Sequence, residues 1–207
     1  MATFLEVHPV DPQPRTVRQV VERIREGALV VFPTDSGWAL GGRLDDQHIK
    51  DRIREIRRLD AHHHYTLLCH DFAQLGQLVQ VDNHMFRAIK AATPGPYTFI
   101  LPATKEVPRR LLHAKKRTVG VRIPDNAVVQ ALLAELGEPM LSSTLILPGD
   151  EEIPTYGWDV KERLDHVVDI VIDAGDVEMR PTTVVDYSSG LPEIARYGAG
   201  DPDPFEA

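Results

Sequence analysis

Four stretches of this chain join an apolar or β-branched run to a polar turn. They are Pro33-Thr34-Asp35-Ser36-Gly37, Pro94-Gly95-Pro96-Tyr97-Thr98, Thr118-Val119-Gly120-Val121-Arg122-Ile123-Pro124 and Pro181-Thr182-Thr183-Val184-Val185-Asp186. A short apolar run closed by Pro or Gly reads as a strand buried on both faces. The turn beside it presents hydroxyls and backbone N–H groups at the strand's end, where an anion can be held. Such units commit the chain to a sheet whose polar ends gather its chemistry.

Between these stretches the pattern alternates helix and strand, without repeats. Thr16 with Gln19 has capping-box spacing, Val17, Val20, Val21 and Ile24 make one apolar face, and Gly27 suits the end of that helix. Residues 28–32 read as a buried strand stopped by Pro33. Ile49, Ile53 and Ile56 mark a helix finishing near Leu59, and Asn83–Ala91 a further one. A short basic helix is expected around Pro108–Leu112, and a helix carrying Val128 to Leu136 follows a cap at Asp125 or Asn126. Further strands read at 65–68, 97–101, 119–123, 140–147, 167–173, 183–186 and 194–196, with Pro148–Trp158 as a loop. The expectation is one α/β domain over residues 16–200, a mixed, twisted open sheet with flanking helices. An extended segment, 1–15, precedes it and a tail, 201–207, follows.

Composition narrows the function classes. No apolar run approaches the roughly 20 residues needed to cross a bilayer. One cysteine, Cys69, cannot form an internal disulfide, which fits a reducing compartment such as the cytoplasm. The net charge of −8 argues against wholesale wrapping by nucleic acid. The average hides a basic stretch: Lys105, Arg109, Arg110, Lys115, Lys116, Arg117 and Arg122 are opposed only by Glu106. That density favours a phosphate-rich partner, whereas Lys50, Arg52, Arg54, Arg57 and Arg58 are diluted by Asp51 and Glu55 and read as a solvated face. No P-loop, His-Glu-x-x-His or Gly-x-Ser-x-Gly is present. The run His62-His63-His64 reads as a surface loop, since adjacent side chains diverge and no carboxylate or cysteine stands at ligand spacing.

In this order, the four stretches resemble the motif series of the YrdC-like family, and Ile194-Ala195-Arg196-Tyr197-Gly198-Ala199 supplies a fifth match. The similarity spans roughly residues 16 to 200, and the 65–68 and 105–117 segments are most similar to its YciO branch. The resemblance implies a YrdC/RibB-like fold and the synthesis of threonylcarbamoyl-AMP from threonine, bicarbonate and ATP, with Mg2+ carried by the nucleotide, for tRNA modification. It implies Thr34, Thr98, Arg122 and Thr183 as substrate-binding residues, and Arg57, Arg58, Thr144 and Arg196 on the nucleotide. Arginine suits a carboxylate or a phosphate because its planar fork donates two parallel hydrogen bonds.

Two departures bear on activity. Where the family's synthases carry Lys-x-Arg, this chain has Arg57-Arg58-Leu59; where they carry Ser-x-Asn, it has Thr144 and then Ile146. Leu59 lies on the flank of a helical apolar stripe, and Ile146 neither donates nor accepts. Loss of both contacts is expected to cost about 2–5 kcal/mol, several tens- to several thousand-fold in rate. Two readings therefore stand side by side. One is a weak or altered synthase. The other is a double-stranded RNA or tRNA binder on the same fold, using Lys105, Arg109, Arg110, Lys115, Lys116 and Arg117 on phosphates, since families of this fold are linked to such binding.

Overall fold

Alternating burial sets the architecture. In the computed structural model, which describes residues 1–59, 65–149 and 154–206, β2 (Val30–Thr34) sends Val30 and Phe32 into one apolar cluster and Val31 into another. Ile170 and Ile172 of β8 (Ile170–Asp173) part from Val171 in the same way, as does Met140 from Leu141 in β7 (Met140–Thr144). A period of two with both faces apolar is the mark of a sheet covered on both sides.

The remaining strands are β1 (Thr3–Glu6), β3 (Gly37–Arg43), β4 (Thr66–Leu68), β5 (Tyr97–Pro102), β6 (Thr118–Arg122), β9 (Thr183–Asp186) and β10 (Glu193–Arg196). They form one mixed sheet in the order β1-β8-β2-β3-β7-β4-β6-β5-β9-β10. The pairs β1–β8, β2–β8, β4–β6 and β5–β9 are parallel and the others antiparallel. Helices α1 (Pro14–Arg25) and α5 (Ala127–Leu136) cover one face. On the other lie α2 (Gln47–Arg57), α3 (Phe72–Leu78), α4 (Asn83–Ala92) and α6 (Gly157–Leu164). The single α/β domain with a mixed open sheet and flanking helices is the architecture expected from the sequence.

The sheet curls. Strands β2 and β6 are four steps apart, roughly 19 Å across a flat sheet at ~4.8 Å per step. Arg122, at the end of β6, nonetheless reaches Asp35 and Ser36 at the end of β2. Curvature is what closes a cavity over the middle strands.

Several local expectations needed correction. Helix α1 begins at Pro14 after Gln13, not at a Thr16 cap, because proline lacks the N–H that a first turn leaves unpaired and its φ suits the helix. Residues 37–43, beyond the first polar turn, form strand β3. A Cβ on Gly41 would stand 2.7 Å from the Phe32 ring, so the glycine is there for close packing of the hairpin. Strand β1 lies within the segment read as an extended leader, and Phe205, in the stretch read as a tail, packs on Tyr97 and Phe99. Helix α6 begins in the last two residues of the stretch read as a loop and runs through residues to which no element was assigned. The basic helix is one 3-10 turn, Arg109–Leu111. No described helix is long and apolar enough to cross a membrane.

One carboxylate ties the sheet's far side together. Asp169 accepts from the Leu29 N–H at 2.7 Å and from Arg52 at 2.6 Å. Burial pushes its pKa up, but the bonds from Arg52 and Leu29 outweigh that and hold it below the usual carboxylate range. A depressed folded-state pKa contributes stability above the unfolded value, near 3.9, that is lost as pH falls through the folded value. The melting-temperature gap between wild type and Asp169→Asn is therefore expected to be widest at pH 7 and to close on acidification below about pH 4. A gap that stays constant with pH would refute this assignment.

Candidate functional site

The β2–β3 hairpin turn is built from its own side chains. Thr34 Oγ1 donates to the Gly37 carbonyl at 2.7 Å and accepts from the Ser36 N–H at 3.0 Å. Such a hydroxyl-closed turn is what Thr and Ser do at strand ends. It fixes Asp35 and Ser36 facing Arg122, which donates to both. Asp35 also accepts from the Asp125 N–H at 3.1 Å, fastening the hairpin to the chain after β6.

Around this pair the curled sheet encloses a hydroxyl-lined cavity. Thr34 and Ser36 form one wall, Thr66 of β4 and Thr98 of β5 a second, and Ser142, Ser143 and Thr144 of β7 a third. Thr182 closes the ring and shares a 2.8 Å hydrogen bond with Thr98. The cavity is narrow, about 30 Å3, room for a few waters, so an occupant of amino-acid size must part its walls.

Three arginines bear on it. Arg122 is 5% exposed, and burial pulls its pKa below the usual arginine range, opposed by the Asp35 charge beside it. Of a guanidinium's five N–H donors, Asp35 and Ser36 take two. Its Nε has no acceptor among the described residues, and neither does the indole Nε1 of the buried Trp38, which also lines the cavity. Arg196 donates through Nε to the Thr182 carbonyl at 3.0 Å and through an Nη to its hydroxyl at 2.9 Å, and its charge is felt at Arg122. Arg57, the last residue of α2, donates to Ser143. Burial lowers the pKa of Arg57 and Arg196 as well. Cations kept out of water in this way gain from an anion that replaces the lost hydration.

Most of the singled-out residues converge: Thr34, Thr98, Arg122 and Thr144 line the cavity, and Arg57 and Arg196 hold its wall. Two do not. Thr183 is fully buried, donating to the Gly200 carbonyl at 2.6 Å and accepting from the Gly198 N–H at 3.0 Å, so its hydroxyl is spent inside the fold. In a strand, neighbours point to opposite faces, and it is Thr182 that looks into the cavity. Arg58 caps α2 in the left-handed conformation (φ 50°) and is exposed. Leu59 packs against the core, and Ile146 is 43% exposed. His62, His63 and His64 lie outside the described residues. Ser142 and Ser143 were passed over, although a run of three hydroxyl residues in an otherwise apolar strand is itself a signal.

The basic stretch disperses. Arg110 donates to the Asp45 carbonyl, and Lys116 pairs with Asp186 at 3.4 Å. Lys105, Arg109 and Arg117 line a separate cleft, and Lys115 is exposed.

A curled mixed sheet with arginines and hydroxyls converging at its strand ends defines an α/β protein with a hydroxyl-lined cavity flanked by arginines. The family model Sua5_yciO_yrdC, described as telomere recombination, matches residues 22–198. The chain belongs to this Sua5/YciO/YrdC family. It is 47% identical to the uncharacterized protein YciO of Escherichia coli K12 over 99% of this chain and 100% of that one. The crystal structure of E. coli YciO superposes with a TM-score of 0.95 over the whole of both chains. A threonylcarbamoyl-AMP synthase of Vibrio vulnificus YJ016 is 28% identical over 75% of this chain and 84% of its own. P. abyssi Sua5, solved in complex with L-threonine, is 27% identical with a TM-score of 0.86, covering 95% of this chain and 58% of that one.

Proposed function

We propose that the cavity binds L-threonine or a close relative and, with bicarbonate and ATP-Mg2+ as co-substrates, makes its N-carbamoyl adenylate slowly. The observation that carries this reading is the buried Arg122, with an unclaimed Nε–H inside a ring of hydroxyls. Three of its donors remain for a carboxylate, so the amino acid need not break the Asp35 pair. Thr98 and Thr182 offer hydroxyls to the amino acid's polar atoms, and Thr34, its own hydroxyl closing the turn, shapes the wall beside them. Arg57 and Thr144 flank the β7 wall, Arg196 lies against Thr182, and these three take the nucleotide's phosphates.

The reaction joins a carbamate oxygen to the α-phosphorus of ATP and breaks the bond to pyrophosphate, which leaves with its charge on Mg2+ and the arginines. Catalysis there is positioning and charge stabilisation. Where the resemblance expects two donors the chain has Leu59, packed on the core, and Ile146, an exposed aliphatic side chain, and each absent charge-assisted bond is worth about 1.5–3 kcal/mol. Turnover is therefore expected to be slow. The synthase name of the Vibrio relative and the L-threonine complex of P. abyssi Sua5 support the substrate class.

Pyrophosphate release from ATP, with bicarbonate present, is the test. Release that rises with threonine and falls at least tenfold on Thr144→Val supports the reading. Absence of any threonine-dependent release at high protein concentration overturns it.

A further inference from the structure

At the far ends of β5 and β6 from the hydroxyl cavity lies a cleft of about 490 Å3. Thr98 and Arg122 sit at one end of these strands, whereas Ala103 and Arg117 close the other, joined by a 3.1 Å backbone hydrogen bond. Five residues of strand separate the two sites, roughly 17 Å at ~3.3 Å per residue. The cleft is therefore a site of its own.

Its rim carries Lys105, Arg109 and Arg117, and its apolar surface comes from Leu112 and Ala103, with the buried Val107 beneath them. None of the three cations has a carboxylate within ion-pair distance among the described residues, although Glu106 is their neighbour in sequence. Arg117 holds its position with φ at 57°, a left-handed conformation that glycine adopts more readily. The chain thus accepts backbone strain at the residue that places a third positive charge on the rim, and strain of this kind gathers at ligand sites.

We propose that this cleft binds a compact organic di- or triphosphate, its phosphates on Lys105, Arg109 and Arg117 and its apolar part over Leu112 and Ala103. The volume falls in the range of small-molecule sites, and two guanidinium forks with one ammonium match adjacent phosphate groups. A nucleic-acid strand asks instead for cations spaced along its backbone. Arg110 and Lys116 would extend such a track, and they are held by Asp45 and Asp186.

Calorimetric titration of the full chain with ADP and with inorganic pyrophosphate tests the site. The double variant Arg109→Ala/Arg117→Gly removes two cations and relieves the left-handed strain; Lys105→Glu reverses one exposed charge and perturbs the fold least. ADP affinity is expected to fall about 100-fold in the double variant and at least tenfold in Lys105→Glu, while threonine-dependent pyrophosphate release is unchanged. Pyrophosphate is expected to bind more weakly than ADP, because it leaves Leu112 and Ala103 uncovered. The titrated samples all carry Arg57→Ala and Arg196→Ala, so that ADP held at the hydroxyl cavity is not counted; ADP binding that then survives both cleft variants overturns the proposal, as does no ADP binding while the cleft residues are intact. A short RNA duplex that binds more tightly than ADP and is lost in the same variants overturns it in favour of a nucleic-acid surface.

Discussion

Replacing Arg122 by alanine is expected to destabilise the protein by about 3–5 kcal/mol and to abolish measurable binding of L-threonine. The side chains of Arg122 and Asp35 are 6% and 14% exposed, so truncating the arginine strands a carboxylate away from water. A buried ion pair is seldom worth more than well-packed apolar groups of the same size, but breaking one half of it is costly. The double variant Arg122→Met/Asp35→Leu is therefore expected to recover most of the stability, as read by urea unfolding. It regains none of the threonine binding. Recovery of both together would place the ligand elsewhere.

The second large effect concerns a residue that never touches the cavity. A Cβ on Gly198 would stand 2.3 Å from the Pro181 carbonyl oxygen and 2.4 Å from the Thr182 carbonyl carbon, so backbone must move. What moves is the clasp that aims Thr182. Gly198 donates to the Thr183 hydroxyl, Ala199 donates to the Pro181 carbonyl at 2.8 Å, and Thr183 donates to the Gly200 carbonyl. Gly198→Ala is expected to cost about 3 kcal/mol and to remove activity, because Thr182 loses its register with Thr98 and Arg196. The same substitution at Gly76, inside α3 with nothing within 4 Å of the added carbon, is expected to stabilise by about 0.5–1 kcal/mol. Opposite shifts in melting temperature check the pair. Equal shifts would deny that the clasp is what Gly198 protects.

Local patterns carried most of the architecture in the sequence itself. The strands at 30–34, 97–102, 118–122 and 183–186 are apolar and β-branched enough to declare themselves, and the helices at 47–57, 83–92 and 127–136 show their apolar stripes. Asp46, Asp82 and Asn126 cap those helices as short polar side chains do. What stayed hidden depended on packing across distance. Gly41 lies against the Phe32 ring across the hairpin, and Phe205 reaches the core by packing on Tyr97 and Phe99, contacts made between residues distant along the chain.

The site divides along the same line. Arg122, Thr34 and Thr98 were visible as polar groups where buried strands end, since burying them without a task is costly. Which of Thr182 and Thr183 faces the cavity depends on a one-residue register, and in a strand that flips the side chain to the opposite face. The partition of the basic stretch was equally illegible. Lys116 finds Asp186 seventy residues away, so charge density along the chain does not give charge density on the surface.

The central claim is that hydroxyls and a buried arginine from strands far apart in sequence form one receptor for an amino acid's carboxylate. A crystal structure of the protein with L-threonine addresses it directly. The account predicts the carboxylate on Arg122, with the hydroxyl-lined walls around Thr34, Thr98 and Thr182 parted from their closed position. Threonine bound away from Arg122, or a cavity that remains closed at saturating threonine, would contradict it.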